Sequence, residues 1–258
     1  VKYVIGSGWW CAEEAPWPAG RKKLGDDLIR SAGFHSLWYA GLNRFTDPGK
    51  ILIVDSASPV RPPAHPEDPR CEVLSLDRNY GHASSCETRF SGYTRSCMLG
   101  VAYAWLCDAD YFVYVEQDCL LYGEGILERA IGRMKHDFMF GDGTGTPQPL
   151  QQSLFIIARP AFRPFLDALD DLRGGDREIS PEIKFSRLRW DLPPAWVGWR
   201  QSKAWHKLTW RFWYDRLPFG YGRVRPLDWS QPHFYFQHGS REEVSRYCEM
   251  TGFPPPGP

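Results

Sequence analysis

Charge of neither sign is in excess: 31 Lys and Arg balance 31 Asp and Glu over 258 residues, for a formal net charge of zero. A neutral chain has no overall attraction to a polyanion, which argues against nucleic acid as a partner. Long apolar runs are missing too, and none approaches the roughly 20 residues that span a bilayer. The N-terminus shows no basic-then-apolar leader, because residues 1–10 read as a strand. The seven cysteines (Cys11, Cys71, Cys86, Cys97, Cys107, Cys119 and Cys248) form no CxxC pair. Their spacing predicts reduced thiols in a cytoplasmic protein and argues against a zinc site. There is no internal repeat. What the chain does have is 43% hydrophobic and 24% charged content, the profile of a folded protein with a sizeable core, and an unusual 12 tryptophans.

Strand-like and helix-like patterns alternate up to about residue 135. "KYVI" (2–5) is a short strand that ends in Gly-Ser-Gly, and residues 24–42 carry a helical pattern interrupted near Gly33. "KILIVD" (50–55), Glu72–Leu76 and Tyr111–Val115 read as further strands, separated by a Pro-rich loop at 59–70 and a buried helix over Gly92–Cys107. An amphipathic helix starts at Ile126, Phe138–Phe140 and Ser153–Ala158 read as strands, and Pro160 opens another helix. This order predicts an α/β fold with a doubly wound, mostly parallel sheet. Beyond residue 135 the chain turns irregular and aromatic-rich. Residues 254–258 read as a linker or frayed end.

Ligands of such sheets lie outside the carboxyl ends of the strands. Those ends carry Gly6-Ser7-Gly8, Asp55-Ser56, Asp77-Arg78-Asn79 and Glu116-Gln117-Asp118. The last group is the most informative. In "YVEQDCLLYG" (114–123) two carboxylates one residue apart interrupt a buried apolar run. Burying one unpaired carboxylate is costly, and two repel each other. Spacing two puts both on one side of an extended chain, where a divalent cation would offset their repulsion.

"ILIVDSASP" (51–59), "LSLDRNYGHA" (74–83) and "ADYFVYVEQDCLL" (109–121), in that order, resemble the nucleotide-sugar half of GT-A-fold glycosyltransferases, particularly the family 2-like group. The resemblance covers roughly residues 2–158, with Glu116-x-Asp118 in place of the family's DxD. It implies one GT-A-like domain over 1–258: a Rossmann-like nucleotide-sugar half at 1–122, an aromatic-rich acceptor half at 123–253 and the Pro-rich tail at 254–258. It implies a metal-dependent glycosyltransferase that moves a sugar from a nucleoside-diphosphate sugar to a glycan or lipid-linked acceptor, in cell-surface polysaccharide or glycoconjugate synthesis. By the same resemblance Gly6, Ser7, Asp55, Arg78, Asn79 and Glu116 meet the nucleotide and its ribose. Asp118 ligates Mn²⁺ or Mg²⁺ directly, with Glu116 beside it and His238 of "HFYFQHGS" (233–240) as a further ligand. His233 and His82 are weaker candidates.

An inverting transfer, slightly favoured over retention, needs a general base for the acceptor hydroxyl. "GGDREISPEIKF" (174–185) supplies Asp176, Glu178 and Glu182, and "FGDGTGTPQ" supplies Asp142. Ser180-Pro181 reads as a helix start, so Glu182 also suits the helix dipole without any catalytic role. Residues 187–225 hold six tryptophans (Trp190, Trp196, Trp199, Trp205, Trp210 and Trp213) and nine basic residues against two acids. That window fits peripheral contact with an anionic membrane, at the cytoplasmic inner face, or stacking on sugar rings, or arginines holding diphosphate, or plain core packing. Two other functions compete. A nucleotidyltransferase on a related sheet would want a basic residue near Gly6-Ser7-Gly8-Trp9-Trp10, which lacks one. A non-catalytic carbohydrate-binding or scaffold module would need no metal.

Overall fold

Successive residues of a strand face opposite ways, and here both faces are covered. Val4 and Phe112 pack on one side of the sheet, Ile5 and Val113 on the other, and all four are buried. That double burial is why the strands read as unbroken apolar runs. The computed structural model describes residues 1–12, 24–143, 150–186, 214–220 and 222–257.

The central sheet has seven strands, and its fold is the expected α/β, doubly wound and mostly parallel one. Strands β1 (Tyr3–Trp9), β2 (Lys50–Asp55), β3 (Cys71–Ser75) and β4 (Tyr111–Val115) are mutually parallel in the order β3-β2-β1-β4. A short pair member, β5 (Cys119–Tyr122), leaves this sheet just after β4. Beyond residue 135 the alternation ends, as the sequence indicates. Strands β6 (Phe138–Asp142), β7 (Leu150–Ala158) and β8 (Asp215–Arg216) extend the sheet past β4 in the order β7-β6-β8, with β7 antiparallel to both neighbours. β5 pairs antiparallel with β9 (Phe234–Gln237) in a separate two-stranded ribbon.

Helices occupy both faces. α1 (Phe34–Phe45) contributes Phe34, Leu37, Trp38 and Leu42 to the core layer that holds Ile5 and Val113. α2 (Gly92–Leu106) contributes Cys97, Val101 and Ala104 to the layer that holds Val4 and Phe112, joined there by Phe162, Phe165 and Leu169 of α4 (Phe162–Asp171). Short helices α3 (Ile126–Ile131) and α5 (Pro181–Phe185) follow β5 and α4, and α6 (Arg241–Thr251) follows β9 behind a capping box of Ser240 and Glu243. No described helix is long and apolar enough to cross a membrane.

Two local expectations change. β1 does not stop at Ile5; it runs on through Gly6-Ser7-Gly8 to Trp9, in register with β2 from Val4 to Trp9. Glycine normally weakens a strand, but a close approach can require it. A Cβ on Gly6 would lie 2.5 Å from the Phe112 ring, and one on Gly100 of α2 also 2.5 Å from it. The ring fills the space that both glycines leave. The Pro-rich end does not hang free through Gly257 either: that residue's carbonyl lies against Gly33, at the start of α1.

Candidate active site

The turn after β4 sorts its three polar side chains. The Gln117 amide clasps the backbone of Trp10, accepting from its N–H at 2.9 Å and donating to its carbonyl at 3.0 Å. The Glu116 N–H donates to the Ser153 carbonyl (2.8 Å), and its own carbonyl accepts from Cys119 N–H (2.9 Å) and from the Trp38 indole (3.1 Å). Pinned this way, the turn leaves Glu116 and Asp118 near enough for the charge of Asp118 to act on Glu116.

The partner of Asp118 comes from the far end of the chain. β5 and β9 pair with Cys119 opposite Gln237, so the next position places Asp118 opposite His238. His238 Nε2 stands 3.3 Å from Asp118 Oδ2, and Gln237 Nε2 donates to Glu116 Oε2 at 2.5 Å. His238 has φ of +57°, a left-handed conformation that few non-glycine residues adopt and that often marks a functional corner. Gly25 fits beneath that corner, where a Cβ would come within 2.8 Å of the His238 carbonyl carbon. Asp26 N–H donates to the Gly239 carbonyl (3.0 Å), which ties the following 3₁₀ turn, Asp27–Arg30, to this corner.

The acids are held against their preference. Burial, above all, pushes Asp118 up to about 6, although the Gln237 amide and the guanidinium groups of Arg30 and Arg223 pull the other way. Burial raises Glu116 well above the ordinary carboxyl range, and the negative charges of Asp118 and Glu182 add to the rise. Oδ1 of Asp118 is buried with no hydrogen-bond partner. A buried, orphaned carboxylate oxygen beside an imidazole and a second acid fits a cation that prefers oxygen and nitrogen ligands. Among the described residues no group of three or more His, Cys, Asp or Glu is arranged about one metal position. Asp118 and His238 are therefore the protein ligands on offer. Mg²⁺ and Mn²⁺ commonly take few protein ligands and complete their shell with phosphate oxygens and water.

The other candidates scatter. Asp55 is buried at the end of β2, with Oδ1 accepting from Ser58 N–H (2.9 Å) and Oδ2 from the Ser75 hydroxyl (3.2 Å), so its carboxylate holds a turn and a neighbouring strand. Arg78 and Asn79 are exposed after β3; Arg78 lies over the Tyr80 ring, and Asn79 Oδ1 accepts from Gly81 N–H (2.8 Å). Gly6 and Ser7 lie inside β1 and not beyond its end. Among the proposed bases, Asp142 pairs with Arg216 (2.7 Å), and the exposed Glu178 accepts from Gly175 N–H (3.2 Å). Only Glu182, in the first turn of α5, bears on Glu116. Asp176 is fully buried, accepting from Lys184 Nζ and from the Ser91 N–H and hydroxyl at 2.7 Å each. It anchors α5 to the start of α2. His82 bonds to Ser84 in an exposed loop, and His233 lies at the opposite end of β9 from His238.

Three contributors were not singled out from the sequence: Gln237, Arg30 and Arg223. Gln237 had a signal, since it alternates with Phe236 directly before His238. Arg223 was legible only as one of the basic residues of 187–225, and Arg30 had no signal, because packing alone brings it to the acids. Arg223 also revises the basic window. Of its described arginines, Arg216 pairs with Asp142, Arg225 with Glu243 (2.5 Å), and Arg223 faces Glu116 and Asp118. The six tryptophans of that window lie outside the described residues.

Sheet and strand-end acids together define an α/β protein with a candidate cation site at its carboxyl edge. No protein-family model matches the sequence, and no curated protein does. Solved structures give distant likenesses. The mannosyltransferase PcManGT from Pyrobaculum calidifontis, in complex with GDP-Man and Mn²⁺, matches with a TM-score of 0.46 at 11% identity, over 72% of this chain and 51% of that one. TarS from S. aureus, in complex with UDP, matches with a TM-score of 0.42 at 12% identity, over 73% of this chain and 55% of that one. A Bacillus anthracis chain described as a glucose-1-phosphate thymidylyltransferase, in complex with sucrose, matches with a TM-score of 0.42 at 11% identity, over 100% of this chain and 97% of that one. The chain thus spans about half the length of the first two. Likenesses this distant bear on neither substrate nor activity.

Proposed function

We propose that the chain is a metal-dependent glycosyltransferase of GT-A type that moves a sugar from a nucleoside-diphosphate sugar to a glycan or lipid-linked acceptor. The observation that carries this reading is the meeting of Asp118 and His238 at the carboxyl edge of the parallel strands, with Asp118 Oδ1 buried and unpartnered. Asp118 and His238 would hold a Mn²⁺ or Mg²⁺ ion, which when bound neutralises charge on the diphosphate leaving group. Glu116, steadied by Gln237, would orient the ribose or a water beside that ion. Arg30 and Arg223 supply fixed positive charge that favours the ionised acids and draws in the diphosphate. Asp55, Arg78 and Asn79 flank the nucleotide end of the same edge. Glu182 takes the proton of the acceptor hydroxyl, with inversion at the sugar, and the buried Lys184–Asp176 pair keeps α5 in place for it. The N-terminal half would bind donor and the C-terminal half acceptor, with residues 187–213 as the candidate membrane-facing part.

A thermal-shift panel of UDP-, GDP-, CMP- and dTDP-sugars, with and without Mn²⁺, tests the reading. Stabilisation by one nucleotide family that requires the metal and disappears in Asp118→Ala is the expected result. No response to any nucleotide would sink it.

A further inference from the structure

A cavity open to solvent lies away from the acids. It holds about 460 Å³ and is lined by Pro218, Phe219, Pro232 and His233 together with Arg129 and Arg133. The β5–β9 ribbon fixes its distance from the candidate active site. Asp118 and His238 flank one end of the ribbon, and Gly123 and His233 flank the other. The five residues from Asp118 to Gly123 correspond to about 16 Å of extended chain.

The rim is cationic without being neutralised. Arg129 sits on α3 and Arg133 on the turn that closes it, four residues on, so both project to the same side. Both are exposed, and neither makes an ion pair among the described residues. Glu128, the acid next to Arg129, is engaged elsewhere: its Oε1 accepts from the Tyr3 hydroxyl and from Asp47 N–H. The lining is mixed, with Pro218, Phe219 and Pro232 as its apolar members and the rings of Phe219 and His233 at 6.4 Å between centroids. His233 is itself held by a contact of 3.1 Å between Nε2 and the Glu124 carbonyl. Gly123, with φ of +106°, lets the chain pass there, since a Cβ would meet the Pro232 carbonyl at 2.3 Å.

We infer that this cavity is a binding site for an anionic sugar unit, one bearing a carboxylate or a phosphate. A guanidinium pair recognises such a group by bidentate hydrogen bonds. The Phe219 ring, between Pro218 and Pro232 in the lining, offers a surface for the face of a sugar, and the volume lies in the range of small-molecule sites. The site is separate from the strand-end acids and does not depend on the transferase reading.

Calorimetric titration of the full chain at low ionic strength tests it, with glucose 6-phosphate, glucuronate, glucose and inorganic phosphate as probes. Saturable binding of glucose 6-phosphate or glucuronate, with none for glucose, is the expected result; which of the two binds tells phosphate from carboxylate recognition. Arg129→Ala/Arg133→Ala, at two exposed positions, should keep its melting temperature and weaken that binding by about tenfold or more. Phe219→Ala should bring the sugar phosphate down to the affinity of inorganic phosphate. Asp118→Asn should leave the binding unchanged. No saturable binding of either anionic sugar, undiminished affinity in the arginine variant, or loss in Asp118→Asn would each overturn the inference.

Discussion

Asp118 holds its proton more tightly in the folded chain than in the unfolded one, because burial lifts it from 3.8 to about 6. Its contribution to stability is therefore full below pH 3.8 and is lost as pH rises through about 6. The loss amounts to no more than about 3 kcal/mol. Urea denaturation of the metal-free protein at pH 5 and pH 8 should show this decline, and Asp118→Asn should flatten it; an equal slope in the variant would contradict the burial of that carboxyl. At the same scale, the three proposed bases separate. Glu182→Gln should lower kcat by about 100-fold or more with nucleotide affinity retained. Glu178→Gln and Asp142→Asn should stay within about twofold of the parent, since their carboxylates are turned to Gly175 and Arg216. Equal losses in all three would remove Glu182 from the role.

Elements fit one another through a few tight contacts. Gly6→Ala should cost roughly 1–3 kcal/mol by driving a methyl into the Phe112 ring, and Phe112→Leu in the same chain should recover part of it. Strictly additive losses would mean that the ring is not the obstacle. The anchor of α5 is more severe. Lys184→Met strands the buried Asp176 carboxylate and should cost about 3–5 kcal/mol in urea denaturation. Elements were also where sequence reading went furthest. The parallel strands β1, β2 and β4 were legible because both their faces are buried, which writes a continuous apolar run. Gly6-Ser7-Gly8 was misread as a strand end because glycine breaks most strands; the ring that requires it comes from Phe112, more than a hundred residues on. Glu116 and Asp118 were legible because their period of two is local. Arg30 and Arg223 were not, since each reaches the acids only after two loops have packed. Asp55 stood at the right strand end, yet its oxygens already hold Ser58 and Ser75, a use that no spacing reveals.

Across the whole molecule, neutrality conceals an uneven distribution of charge. Nine basic residues crowd 187–225, but Arg216, Arg223 and Arg225 are spent on partners or on the acids inside the protein. Any attraction of this window to anionic vesicles should then come from residues 187–213. Arg216→Gln/Arg225→Gln should lower thermal stability and leave cosedimentation with phosphatidylserine vesicles as it was. A variant that lost vesicle binding would show that those arginines, though paired, still reach the vesicle. The same long-range assembly has a consequence in time. Glu116 and Gln237 touch across 121 residues of sequence, and Asp118 and His238 meet beside them. A ribosome that has just released Asp118 from its exit tunnel has made half a site, and that half stays idle until Gln237 and His238 have followed. Competence at the strand-end acids thus waits on β9, and a nascent chain stalled before β9 would carry its two repelling acids with nothing yet to answer them.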